Sequence, residues 1–124
     1  MELILVYESD GTDALDSPDN LCVSPRGGLI LCEDDATNDS DVHPDSTANV
    51  TNVNRLVGFA RDGRVFDFAL NILNNGELAG ATFSPDGQIL FVNMLGSGTG
   101  SVRPYAGIEG MTFAITGPWE DGPL

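Results

Sequence analysis

The chain has 124 residues, enough for one small domain with a core, and its 41% hydrophobic content excludes a disordered composition. Its net charge of −14, with only five basic residues, argues against binding to nucleic acid or to an anionic membrane surface. The acidity suits divalent cations, which bind carboxylate and carbonyl oxygens, although acidity also serves solubility alone. Many glycines and prolines between short apolar runs indicate an all-β protein rich in turns.

The first predicted element is a β-strand at Leu3–Glu8, because this stretch is rich in aliphatic and aromatic residues. It is too short for the core of a signal peptide, and no basic residue precedes it. No segment reaches the roughly 18 apolar residues of a membrane span. A chain that opens directly in a strand is expected to be a portion of something longer.

A polar connection then leads to the first hairpin. Leu21–Ser24 and Gly28–Cys32 are predicted strands, joined by a turn in which a proline presets φ and glycines tolerate positive φ. The continuous apolar run of the second strand predicts burial on both faces of its sheet. Cys22 and Cys32 flank this turn and are predicted to be buried free thiols, with a disulfide left open for an exported protein.

The second pair of strands follows a long polar stretch. Residues 34–53 are acidic and amide-rich, carry the only histidine (His43), and are predicted to form a solvated insertion loop. Asn54–Ala60 and Arg64–Leu70 are predicted strands, because the Asp-Gly between them is a strong signal for a tight hairpin.

The remainder of the chain repeats the first hairpin. Ser24-Pro-x-Gly27 returns as Ser84-Pro-x-Gly87, an offset of 60 residues (84 − 24). This copy lies between predicted strands at Gly80–Ser84 and Gln88–Met94.

A glycine-rich loop is predicted at residues 95–110, and the last strand is predicted at Met111–Thr116. The tail that follows contains Trp119, which is expected to pack on the sheet.

Two copies of one antiparallel unit predict a partial β-propeller of about two blades. The first blade is expected at about 21–70, with 34–53 as its inserted loop, and the second at about 77–119. Two blades cannot close a ring, so the remaining blades are expected from a longer protein.

The loop that enters the innermost strand of a propeller blade points toward the central channel. Asp19 and Asn20 hold that place before the first blade, and Glu77 holds it before the second. Carboxylate and amide oxygens that converge from several blades suit a hard cation. Glu33, which ends a buried strand, is a fourth candidate for the metal site. The alternatives are that Asp19 and Asn20 only cap a turn and that Glu33 marks where the strand reaches water.

The sequence contains no motif for another type of catalytic chemistry. The chain has no nucleophile elbow, no P-loop and no dinucleotide fingerprint, so no catalytic residue is assigned. Arg55 and Arg103 are candidates for contact with an anionic substrate, but nothing in their sequence context distinguishes them from ordinary surface residues.

Four segments, taken in order, resemble the C-terminal region of the PhoX-type alkaline phosphatase family. These segments are Ser17–Leu21, Ser24–Asp34, Gly80–Asn93 and Met111–Trp119. Ser-Pro-Asp-Gly alone occurs in many propellers, and the ordered set is more specific. The chain departs from the family at 95–110, where a long glycine-rich loop replaces a direct run into a Pro-Gly turn.

The resemblance implies a bacterial β-propeller enzyme, periplasmic or secreted, that hydrolyses small phosphomonoesters with calcium and iron. It implies metal-site roles for Asp19, Asn20 and Glu77, whereas the cysteine ligand of iron is expected outside this chain. Because most ligands would lie elsewhere, the chain alone is expected to be inactive, and its oligomeric state is unassigned. Two alternatives remain: a non-catalytic propeller fragment acting as a binding module, and a calcium-dependent lactonase-like propeller.

Overall fold

The computed structural model describes residues 1–8, 15, 17–34, 54–71, 76–96 and 110–124. Within these ranges the chain forms seven β-strands and no helix. The strands are Pro18–Val23 (β1), Leu29–Glu33 (β2), Arg55–Phe59 (β3), Val65–Leu70 (β4), Leu78–Phe83 (β5), Ile89–Met94 (β6) and Met111–Thr116 (β7). None of the described residues belongs to a helix that is long and apolar enough to cross a membrane.

The strands form two antiparallel sheets. One contains β1-β2-β3-β4 in that order, and the other contains β5-β6-β7. The prediction of an all-β chain with two propeller-type sheets is confirmed, and the sheets do not close on each other in the described ranges. The insertion loop lies outside those ranges from residue 35 onward, so the division into blades at about 21–70 and 77–119 stays a prediction.

Three tight turns join β1 to β2, β3 to β4 and β5 to β6, at the places that the proline and glycine residues of the sequence predict. Gly27, Gly63 and Gly87 take φ values of 84°, 89° and 70°, a region that side chains other than glycine rarely adopt. Each glycine N–H donates to the carbonyl three residues earlier, at 2.8 to 2.9 Å. The turns therefore set the hairpin register.

The main hydrophobic core lies between the two sheets. It is built mainly from β2, β3, β5 and β6, together with Trp119 and Leu124 from the tail. The Trp119 ring stacks on Phe68 at 5.9 Å and meets Phe83 edge-on at 5.1 Å, and its Nε1 donates to the Gln88 carbonyl at 2.9 Å. The expected packing of this tryptophan is confirmed.

A smaller apolar cluster covers the opposite face of the first sheet. Leu15, Leu31 and Val57 form its buried part. Tyr7 packs against Phe59 with the ring centroids 6.1 Å apart. Because Ile30 and Cys32 face the main core while Leu31 faces this cluster, β2 is buried on both faces, as its continuous apolar run predicts.

The strand predicted at Leu3–Glu8 is wrong. Residues 1–8 form no strand, and the side chains of Leu3, Ile4, Leu5 and Val6 are 67–98% exposed. β-propensity describes how well a residue fits a paired, half-buried surface, and no strand of the described residues pairs with this segment.

Both cysteines are free thiols, as the sequence predicts. Cys32 is buried in the core between the sheets, and Cys22 is half-buried beside it. Burial raises the pKa of each thiol above its usual value, so both stay protonated at neutral pH.

Candidate metal centre

A β-bulge presents Asp19 at the start of β1. Pro18 pairs with Glu33 and Asn20 pairs with Cys32, which leaves Asp19 as the extra residue on this strand. The preceding Ser17 has a φ of 39°, a conformation that is uncommon for a residue other than glycine. Bulges and unusual φ values both redirect side chains from regular strand geometry, and both concentrate at functional sites.

A second bulge occurs at the corresponding place in β5. Ala79 pairs with Asn93 and Thr82 with Phe91, so β5 also carries one extra residue. Gly80 lies in this bulge with a φ of 65°. It is the repeat partner of Asn20 (80 − 20 = 60), and its N–H donates to Asn20 Oδ1 at 3.0 Å. This hydrogen bond joins the first strands of the two sheets at equivalent positions.

Three carboxylates converge beside these bulges. One oxygen each of Asp19, Asp34 and Glu77 lies within 4.8 Å of the other two. Asp34 directly follows β2, and its N–H donates to the Ser17 carbonyl at 3.2 Å. Glu77 directly precedes β5, and its carbonyl accepts from the Leu95 N–H at 2.8 Å. Backbone hydrogen bonds therefore fix the segments that bring these carboxylates together.

The carboxylates interact electrostatically. Burial raises the pKa of Glu77 above its usual value, and the hydrogen bond with Asp19 and the charges of Asp19 and Asp34 raise it further. The charged forms of three neighbouring acids repel one another, and a bound cation would relieve that repulsion. The cluster therefore attracts either a proton or a cation.

Asn20 lies against this cluster, and both ends of its amide are engaged. Its Nδ2 donates to Asp19 Oδ1 at 2.5 Å, while its Oδ1 accepts from Gly80. In this structure Asn20 orients the Asp19 carboxylate and links the two sheets. Its predicted role as a direct metal ligand stays a prediction.

The structure places Glu33 in an ion pair instead of in the carboxylate cluster. Glu33 is only 2% exposed, and its Oε1 accepts from Arg55 Nη2 at 2.6 Å, with a second bond from Arg55 Nε to Oε2. Arg55, 5% exposed, also donates from Nη1 to Asp67 Oδ1 at 3.1 Å. The expectations that Glu33 marks where the strand reaches water and that Arg55 is a surface residue are therefore wrong. Arg103 lies outside the described residues.

Sequence reasoning missed Asp34 as a member of the site. It treated this residue as the first of a solvated loop, although Asp34 directly follows a buried strand. Its position in the sequence could have indicated this role. The end of a strand lies beside the start of its antiparallel partner, so Asp34 at the end of β2 is expected beside Asp19 at the start of β1.

The donor set fits calcium. Three carboxylates are hard oxygen ligands, and calcium takes six to eight oxygens in flexible geometry. Among the described residues the cluster contains no histidine or cysteine, so the cysteine ligand that the resemblance implies for iron is not part of it.

One of three comparisons with known proteins found a match for this chain. The family model described as Alkaline phosphatase PhoX matches residues 3–98, a range that includes Asp19, Asp34 and Glu77. Searches of curated proteins and of solved structures returned no match.

Proposed function

Because this chain belongs to the PhoX alkaline phosphatase family, we propose that it forms the C-terminal part of a metal-dependent enzyme that hydrolyses phosphomonoesters. Asp19, Asp34 and Glu77 serve as ligands for a calcium ion in this proposal. The observation that carries it is the convergence of these carboxylates, two from the first sheet and one from the segment that enters the second.

Each of these residues contributes in a specific way. The bulge at Asp19 directs its carboxylate out of the regular strand, and Asn20 Nδ2 holds one of its oxygens. The hydrogen bond from the Asp34 N–H to the Ser17 carbonyl keeps Asp34 beside Asp19. When bound, a divalent cation neutralises phosphate charge and activates an oxygen nucleophile. The residues of this chain hold and orient that cation.

The cluster supplies part of a coordination sphere. Three carboxylates offer fewer ligands than the six to eight oxygens that calcium usually takes, unless every one binds through both oxygens. In the proposed enzyme, water or residues from outside the described ranges complete the shell, and iron would be held by groups outside the described cluster.

Calcium titration by isothermal calorimetry tests the proposal. The wild-type chain is compared with Asp34→Asn and Glu77→Gln, each of which removes one charge from the cluster. Glu120→Gln is the matched control, because it removes one charge from an exposed residue in the tail.

We expect the two cluster variants to bind calcium at least about tenfold more weakly, a loss of roughly 1.4 kcal/mol, while Glu120→Gln binds like wild type. Equal affinity in all four proteins would show that calcium does not bind at the cluster.

A further inference from the structure

The ion pair between Arg55 and Glu33 is buried and bidentate. Arg55 Nε and Nη2 donate to the two oxygens of Glu33, and both side chains are almost inaccessible to solvent. Asp67, at 31% exposure, accepts a third bond from Nη1 on the outer side. A bidentate arginine–carboxylate pair fixes orientation as well as distance.

Glu33 lies directly between two segments of the carboxylate cluster. It pairs with Pro18 across the β1–β2 ladder, and Pro18 is followed by the bulged Asp19. It is also followed in the chain by Asp34, whose N–H bonds to Ser17. Anything that holds Glu33 therefore holds the backbone on both sides of the site.

A contribution to stability does not by itself explain why this ion pair is buried here. The cost of removing two charges from water often cancels their attraction, so an apolar replacement can be as stable. The position of Arg55 also differs from that of the other described arginines. Arg26, Arg61 and Arg64 line a cleft at the hairpin-turn end of the first sheet. Among the arginines that the structure describes, Arg55 is the one at the carboxylate end.

We propose that Arg55 is a positioning residue: by clamping Glu33, it holds Asp19 and Asp34 in the arrangement that lets them share a cation with Glu77. This proposal rests on the proposed function for its role in calcium binding. It gives Glu33 an indirect role at the metal site through the backbone on either side of it.

Two measurements on the full chain test this role. The first is calcium affinity, and the second is amide hydrogen exchange by NMR at Asp34, compared with Gly63. The Gly63 N–H bonds to the Ala60 carbonyl at the opposite end of the same sheet, so it serves as a reference amide remote from Arg55. Arg55→Lys keeps the charge and removes the bidentate fork. Arg64→Lys is the matched control, because the exposed Arg64 pairs with Asp62, two residues away in the same turn.

For Arg55→Lys we expect a selective loss of exchange protection at Asp34 relative to Gly63. We also expect a calcium Kd about 10-fold higher, the size of effect seen when an outer residue that orients a ligand is removed. Arg64→Lys should change neither quantity.

Equal loss of protection at Asp34 and Gly63 with an unchanged Kd would overturn the proposal and leave a structural ion pair. If Arg55→Lys does not fold, Glu33→Gln gives the same comparison, since Asp67 still pairs with the arginine. If the wild type binds no calcium, the proposed function fails. The exchange measurement then still decides whether Arg55 positions this segment.

Discussion

At the scale of single residues, the polar groups of the site were partly predictable. Asp19 and Glu77 stand just before the strands predicted at Leu21 and Gly80 in the repeated unit, which made them candidates for channel-facing residues. The burial of Arg55 was not predicted, because it depends on the pairing of β2 with β3, which an insertion separates in sequence. Nothing in the sequence indicates that the Glu33 carboxylate on one strand pairs with the arginine on the other. Short-range patterns report neighbours along the chain, whereas this ion pair is a long-range contact.

In the absence of metal, we expect the stability of the fold to depend on pH because of Glu77. Its pKa is raised in the folded state, so folding favours the protonated form. This contribution to stability is fully present below the ordinary value of 4.5 and is lost as the pH rises through the raised pKa. The measurement is the urea unfolding free energy between pH 4 and 8 in the presence of a chelator.

Glu77→Gln should flatten that decline, because glutamine does not titrate, and calcium should flatten it in the wild type. A wild-type decline that persists unchanged in Glu77→Gln would assign the pH dependence to other groups.

At the scale of elements, turns were easier to predict than strand limits. Proline and glycine residues located the three hairpin turns, since the backbone at those positions requires them. The first strand of each sheet begins earlier in the chain than the sequence predicts. β1 begins at Pro18 instead of Leu21, and β5 begins at Leu78 instead of Gly80. Polar residues and glycine are poor strand formers, and each of these strands accommodates them through a bulge that no simple alternation predicts.

Packing across β3 and β4 gives a prediction at this scale. Gly58 pairs with Phe66, and the Phe66 ring lies so close that an added Cβ would overlap it. Gly58→Ala should therefore lower the unfolding free energy by about 1–3 kcal/mol, the usual cost of overpacking a core. Urea denaturation measures this loss.

Gly122→Ala is the control for that substitution, because nothing lies within 4 Å of the position and its φ is not in the left-handed region. Equal stability of the two variants would mean that Phe66 moves aside at little cost.

At the scale of the whole molecule, the internal repeat predicted two antiparallel sheets. The relation between the sheets could not be predicted, because it depends on contacts distant in sequence. Asn20 meets Gly80 across the junction, and Trp119 and Leu124 from the tail fill the core between the sheets. The carboxylate cluster exists because this junction brings Glu77, which precedes β5, close to Asp19 in β1 and to Asp34, which follows β2.

NMR spectra of the backbone amides, recorded during the addition of calcium, show directly whether this junction binds the ion as proposed. We expect the largest chemical-shift changes at the amides of Asp19, Asp34, Glu77 and Gly80. Shifts spread over exposed acidic residues of the turns and tail, or no shifts at all, would contradict this prediction.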